Sequence, residues 1–380
     1  MTGKLKVILC AALSAGTIFA QTPESTSGPV AYVYLALTSG YAAAADGKLT
    51  PIHGATLQGD EVVATKTFVF ALNQTQIKIY KIGAGGALSL AATTHYIESS
   101  NWCNDVITPM QVDVTGKTLY VSVDDCRTAD QIVESFAIES NGSLKYLGAS
   151  TPLSEGADEA ALVVLGNNKY AYLAGDIPGP DQSFPTPFTK IYTRESDGFM
   201  QSNSAKFPLP KPYRAHGYYA APSPPQAIAA DGADHIVLAW KDVSVTTGQW
   251  SGPEYLASYT ADSHGNLSST NTLAEMAQSD ENDGVSDLKI SPSGKYLAVA
   301  GTTGFQVFHF NGAAPITHFT GLILPNTMLN YAAWDKDNHI YTDSYGTLYV
   351  YTVTPAGVEA APGGPYNVPG SFSPIVVVSR

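Results

Sequence analysis

The chain has 380 residues, a formal charge of −13, 14 % charged side chains and 44 % hydrophobic ones. Such an acidic balance argues against nucleic acid and anionic membranes as partners. With 34 Gly, 24 Pro and 22 Tyr among short β-rich runs, the composition suits an all-β protein better than a helical one.

The chain opens with Lys4 and Lys6, an apolar run over 7–20, and then Gln21-Thr22-Pro23. A basic start, a core too short to span a bilayer and a small residue at the cut predict a signal peptide over 1–20. A buried N-terminal helix is the alternative. Cys10 lacks the small residues that precede a lipidation cysteine, so no lipoprotein is expected. Removing Lys4 and Lys6 takes the charge from −13 to −15. No later stretch reaches the ~20 apolar residues of a membrane span. The expectation is a secreted or periplasmic protein with a flexible leader over 21–29.

Residues 31–37 alternate as a strand. From there a four-stranded unit recurs, most clearly over 287–319. The turn before its last strand reads Asp46-Gly47, Gly85-Gly86, Asn141-Gly142, Asp197-Gly198, His264-Gly265, Asn311-Gly312 and Ala356-Gly357. Gly and Asn tolerate the positive φ that tight hairpin turns need. The turn glycines lie 39 to 67 residues apart, an uneven period near 50. Four-strand repeats of roughly 40–50 residues mark propeller blades, each unable to bury its faces alone. The first turn also recurs, as 113–117 (DVTGK), 165–169 (LGNNK), 230–234 (ADGAD), 291–295 (SPSGK) and 335–339 (DKDNH).

The predicted fold is therefore all-β, a seven-bladed β-propeller over 30–380. After the first blade, blades fall at about 60–95, 106–150, 157–207, 224–273, 286–320 and 329–362. The tail 372–378 (FSPIVVV) is a strand without a partner of its own, and the first blade lacks an innermost strand. Pairing the two closes the ring and removes exposed sheet edges.

Beyond the signal, two cysteines remain, Cys103 and Cys126, at the same end of a hairpin of the third blade. An even count in an exported chain predicts a disulfide. Two free thiols are the alternative; no further cysteine or nearby histidine completes a tetrahedral metal set.

The pieces MQVDVTGKTLYVSVDD (110–125) and LKISPSGKYLAVAG (288–301), each leading to a third strand and a Gly-containing turn, resemble the lactonase-like and surface-layer-like (YVTN-type) seven-bladed propellers. The resemblance covers nearly all of the mature chain, but its motifs are structural ones. It implies the propeller fold and, in some members, lactone hydrolysis of the 6-phosphogluconolactonase kind. Hydrolytic members are expected to carry a Gly-Pro-Arg-His-like stretch before an inner strand. The corresponding stretches here are EGADEAALV (155–163) and DGVSDLKIS (283–291), without an Arg-His pair.

In a propeller, the loops between blades and those between second and third strands ring one mouth of the channel. Here they are the longest and most charged. They hold Asp124, Asp125 and Arg127; Glu155, Asp158 and Glu159; Asp176 and Asp181; Arg214, His216, Tyr218 and Tyr219; and Asp280, Glu281, Asp283 and Asp287. Function belongs on that face. Converging carboxylates suit a hard cation such as Ca²⁺, though no contiguous calcium loop is present. Carboxylates beside Arg214 or His216 suit acid–base work on a lactone or sugar. A third reading takes the Pro-rich run 208–225 with Tyr213, Tyr218 and Tyr219, plus Phe184, Trp240 and Trp250, as aromatic faces for a carbohydrate or peptide. Phosphate-binding, Gly-x-Ser-x-Gly and His-Glu-x-x-His motifs are absent. Asn73, Asn141 and Asn266 stand in Asn-x-Ser/Thr sites, relevant only where the host glycosylates its exports.

The sequence thus predicts a monomeric binding or scaffold propeller for a small polar ligand, a carbohydrate or another protein. No cofactor is expected beyond a possible Ca²⁺ in the channel. Asp158, Asp287, Arg214 and His216 are the candidate wall of the site, and lactone hydrolysis at the mouth is the alternative.

Overall fold

The structure is a computed structural model. It describes residues 28–380 apart from 74–75, 96–109, 126–129, 152–157, 178–185, 204–217, 223–227, 245–249, 281–283 and 369–373. The predicted signal segment, Cys103, Cys126, Arg214 and His216 lie outside the described residues.

Seven antiparallel sheets follow one another around a central channel. Their inner strands are Ile375–Ser379, Glu61–Ala64, Met110–Val112, Asp158–Val164, Ile228–Ala230, Val285–Ile290 and Ala332–Trp334, for blades 1 to 7. Each touches the next around the ring, and Ala332–Trp334 touches Ile375–Ser379 to complete it. No α-helix occurs among the described residues; the single helical piece is a 3₁₀ turn, Ala84–Gly86. None of their helices is long and apolar enough to cross a membrane.

Closure is as the lone tail strand predicts. Ile375–Ser379 pairs antiparallel with Ala31–Leu35, with Val33 opposite Val377 and Leu35 opposite Ile375. All five residues of Ala31–Leu35 are buried. Blade 1 is thus built from both ends of the chain, the inner strand coming last.

Alternation along each strand sends side chains to opposite faces of a blade, so apolar clusters form between neighbouring blades. There are seven such clusters among the described residues, one for each interface. Between blades 4 and 5, for example, Tyr172 and Ile191 pack with Leu238, Trp240 and Tyr259. Trp240 is therefore a core residue, fully buried, and not a face offered to a ligand.

Blade 5 departs from the simple reading in a second way. Tyr218–Pro222 is a strand, paired with the outer half of His235–Ser244, while Ile228–Ala230 pairs with its inner half. Tyr218 and Tyr219 thus belong to a sheet rather than to a loop. The hairpin of His235–Ser244 and Trp250–Ala261 runs well past the inner strand. Blades 7 and 1, by contrast, turn between second and third strands over a few residues, at Tyr345-Gly346 and at 36–39.

Candidate functional site at the channel mouth

The inner strands begin on the face that carries the long loops, and a cavity of about 250 Å³ opens among those beginnings. Its polar lining comes from Glu61 of blade 2, Gln111 of blade 3, Asp287 and Lys289 of blade 6, and Tyr331 just before the inner strand of blade 7. Pro374, Ile375 and Val376 of blade 1 supply an apolar flank.

Asp287 is placed by a β-bulge between Val285 and Asp287. The extra residue bends the strand and re-aims the side chains after it. Val285 is pinned where the bulge begins, its N–H donating to Glu254 Oε1 at 3.1 Å. Glu254 is itself fully buried, with Lys241 Nζ 3.8 Å away. Only 1 % of Asp287 is exposed. Lys289 Nζ donates to Oδ1 at 2.7 Å and the Ala332 N–H donates to Oδ2 at 2.9 Å. Burial raises the Asp287 pKa, and the lysine and N–H groups only partly oppose it.

Glu61 opens the inner strand of blade 2, opposite Leu72 of its neighbour. Burial pushes its carboxyl up to about 8, the Asp287 charge adds to the rise, and Lys289 opposes it. At neutral pH Glu61 is therefore chiefly a protonated acid, able to donate a hydrogen bond. Burial, followed by the charges of Glu61, Asp287, Asp343 and Asp60, also holds the Tyr331 phenol protonated far above its ordinary range. The mouth thus offers donors from Glu61, Lys289, Tyr331 and Gln111, and each oxygen of Asp287 already accepts one hydrogen bond.

That last point bears on Ca²⁺. A hard cation takes six to eight oxygens, and here each Asp287 oxygen already accepts a hydrogen bond. Among the described residues no three His, Cys, Asp or Glu side chains are placed to hold a metal ion.

Of the four expected wall residues, Asp287 lines the cavity. Asp158 opens the inner strand of blade 4, its backbone opposite Asp176; its side chain is outside the described set. Arg214 and His216 are outside it altogether. Asp280 belongs elsewhere, accepting from Gln306 Nε2 at 2.6 Å and donating its N–H to Gln306 Oε1. Sequence reasoning missed Glu61, Lys289 and Tyr331. The signal for Glu61 was available, because Asp60-Glu61 stands before an inner strand as Asp158-Glu159 does.

No family model matches the chain, and no curated protein is similar to it at a significant level. Solved structures do match. A hypothetical selenium-binding protein from Sulfolobus tokodaii aligns over 92 % of both chains at 10 % identity, with a TM-score of 0.54. A periplasmic gluconolactonase from Pseudomonas aeruginosa aligns over 76 % of this chain and 78 % of its own, at 13 % identity and a TM-score of 0.49. The β-propeller domain of the Trilobed protease from Pyrococcus furiosus covers 88 % and 97 % at 13 % identity and a TM-score of 0.44. At 10 % identity, the match to the Sulfolobus tokodaii protein is a likeness of fold alone.

Proposed function

We propose that this protein is an exported binding propeller that takes a small, uncharged polar molecule at the channel mouth. The observation that carries the reading is the cavity itself, whose polar side chains converge from four inner strands or their neighbours and include several hydrogen-bond donors. At ~30 Å³ per water, its 250 Å³ amounts to roughly eight waters, room for a monosaccharide or a lactone. The lining carboxylate Asp287 and two further ones, Asp60 and Asp343, act on Tyr331 electrostatically, so an anionic ligand such as a sugar phosphate is disfavoured. Asp158, Arg214 and His216 complete the wall in this reading, and Cys103 and Cys126 form a disulfide.

One observation favours a second reading. Glu61 is a carboxylic acid beside a carboxylate that is already hydrogen-bonded, the pairing that lets one group move a proton while the other stays charged. Lactone hydrolysis would then use Glu61 as the proton-transfer group, with Asp287 holding Lys289 in place.

Both readings are tested with methyl β-D-glucoside and δ-valerolactone as probes. Binding is followed by calorimetry and lactone opening by acid release at constant pH. Binding of either probe that is lost in Glu61→Gln, without acid release, supports the binding protein. Acid release above background that disappears in Glu61→Gln supports the hydrolase. Neither binding nor acid release overturns both.

A further inference from the structure

The cavity wall holds one amine whose nucleophilicity neither reading above uses. Among the described residues that line it, Lys289 carries the single amine. Its backbone is clamped, because Trp334 Nε1 donates to the Lys289 carbonyl at 2.9 Å. Its ammonium has one hydrogen-bond partner among the described residues, Asp287 Oδ1 at 2.7 Å, and the side chain is 44 % exposed. An ammonium has three donors, so two remain for a ligand. Lysine amines that form imines with carbonyl compounds work from such sites, given a partner to take the proton.

The other groups that carbonyl chemistry requires stand on the same wall. Attack on a carbonyl needs a base for the amine proton and an acid for the carbonyl oxygen. Asp287 supplies the base. It is 1 % exposed, its Oδ2 is held by the Ala332 N–H, and its Oδ1 faces the ammonium. Burial raises its pKa, which makes it a better proton acceptor than an ordinary carboxylate. Glu61 supplies the acid. It lines the same cavity, and the Lys289 charge acts on it. Neither the Glu61 carboxyl nor the Tyr331 hydroxyl is hydrogen-bonded to a described residue, so both are open to a ligand. An ion pair that served only to join strands would need neither a cavity nor an unengaged acid beside it.

We infer that Lys289 captures the carbonyl of a small, uncharged hydroxy-aldehyde or hydroxy-ketone, such as an open-chain sugar, as a reversible imine. This rests on the reading of the cavity as a ligand site and names the ligand class and the reacting atom. Asp287 takes a proton from the ammonium. Nζ then bonds to the carbonyl carbon while the carbonyl oxygen takes the Glu61 proton. A proton from the now cationic nitrogen returns to Glu61, leaving a neutral carbinolamine. Glu61 protonates the departing hydroxyl, the C–O bond breaks, and the nitrogen lone pair closes the C=N bond. In sum, carbonyl and ammonium give iminium and water, with charge unchanged and no oxidant or reductant consumed. The iminium stays beside Asp287, which regains its charge as its proton passes to Glu61.

The test gives the full-length protein glycolaldehyde as probe, with sodium cyanoborohydride to reduce an imine to a stable secondary amine. Peptide mass spectrometry then compares Lys289 with Lys66 and Lys117, exposed lysines whose amines have no partner among the described residues. At pH 7 Lys289 is expected to label at least tenfold faster than either. Its labelling should slow at least tenfold in Glu61→Gln and in Asp287→Asn, while Lys66 and Lys117 label as before. Where one variant loses its fold by circular dichroism, the other carries the comparison. Labelling of Lys289 no faster than that of Lys66 and Lys117 in wild type, or unchanged in a folded variant, overturns the capture. Methyl β-D-glucoside, which has no free carbonyl, separates this from the binding reading. If it binds, and binding is lost in Glu61→Gln without selective labelling, the binding reading survives alone. Selective labelling without glucoside binding keeps the capture and confines the ligands to free carbonyls. If neither is seen, both fall.

Discussion

Tyr120 Oη donates a 2.9 Å hydrogen bond to the carbonyl oxygen of Gly198, the turn glycine of the following blade. Tyr34 makes the same bond to Gly86, and Tyr172 to Gly265. In each case the tyrosine is on the second strand of its blade and reaches the last turn of the next. The glycines are packed as tightly as they are bonded. A β-carbon at Gly142 would stand 2.6 Å from the Phe68 ring, at Gly265 2.7 Å from Tyr170, and at Gly198 2.6 Å from Thr118 Oγ1. The recurring turn is thus an inter-blade lock as well as a hairpin.

Gly198→Ala therefore carries two penalties, the left-handed backbone at φ +101 and the clash with Thr118. Gly85, at φ +71 with nothing within 4 Å of a β-carbon, carries only the first. Backbone strain alone is expected to cost about 1 kcal/mol, and overpacking a further ~1–3 kcal/mol. Chemical denaturation should place Gly198→Ala well below Gly85→Ala. Equal midpoints would mean that the turn yields and the lock is loose.

The interface between blades 3 and 4 holds the most connected polar group described. Asp113 accepts from Arg194 Nη2 at 3.0 Å, Asn168 Nδ2 at 3.1 Å, Thr115 Oγ1 at 2.9 Å and the backbone N–H groups of Lys117 and Thr118. Arg194 Nε in turn donates to Tyr120 Oη at 3.0 Å. Arg194 comes from blade 4 and the carboxylate from blade 3. Removing one partner of a buried pair leaves the other charge uncompensated, which costs about 3–5 kcal/mol. Asp113→Ala and Arg194→Met should each destabilise by amounts of that order, and the double variant by much less than their sum. Additive losses in a double-mutant cycle would show that the two blades are not coupled through this pair.

Glu61 gives stability a pH slope of definite sign. Its carboxyl titrates at about 8 in the folded protein and near 4.3 in an unfolded chain. Between those values the folded state binds the additional proton, so stability falls as pH rises, by at most about 1.4 kcal/mol per pH unit. Asp287, also raised, acts in the same direction. Asp335 is lowered: burial alone would raise it, but hydrogen bonds from His339 and Tyr341 prevail. Its contribution is present above about pH 3.9 and is lost only at more acid pH, outside this window. Urea midpoints at pH 5, 6, 7 and 8 should decline for wild type and decline less for Glu61→Gln. Parallel curves would place the Glu61 titration at its ordinary value.

What could be read from the sequence was whatever local chemistry enforces. Asn141-Gly142 and Asn311-Gly312 had to be turns because few other residues adopt that backbone, and a blade followed from their spacing. The strand at 372–378 needed a partner, and the first blade had a vacancy. Asp287 was legible as an acid near the start of an inner strand. Glu61 was passed over although Asp60-Glu61 marks the start of an inner strand, and Tyr331 was not singled out, because its place in the wall is fixed by the ring and not by neighbours in sequence. Lys289 lies two residues after Asp287 on the same face of the strand, and the bulge before Asp287 sets where that face points. Trp240 was misread for a similar reason. Tyr218–Pro222 was taken for loop because of its prolines, yet its backbone pairs with the strand that carries Trp240.

Ring closure offers the most direct challenge to the fold. The bonds from Arg380 N–H to Val30 O and from Ala36 N–H to Pro374 O flank the pairing of Ile375–Ser379 with Ala31–Leu35. Antiparallel pairs alternate, which puts Val376 and Val378 in the hydrogen-bonded phase, opposite Tyr34 and Tyr32. Val378 is also buried against the core between blades 1 and 2. Val378→Pro removes its N–H from the ladder and should cost about 3 kcal/mol or more. Thr317→Pro, in the exposed outer strand Thr317–His318, should cost far less. Truncation after Gly370 removes the inner strand entirely and leaves Ala31–Leu35, buried throughout, with an open edge beside the channel. The truncated chain is expected to aggregate or to lose its cooperative transition, followed by light scattering and circular dichroism. A soluble truncated protein with an unchanged midpoint would show that the ring holds without its last strand.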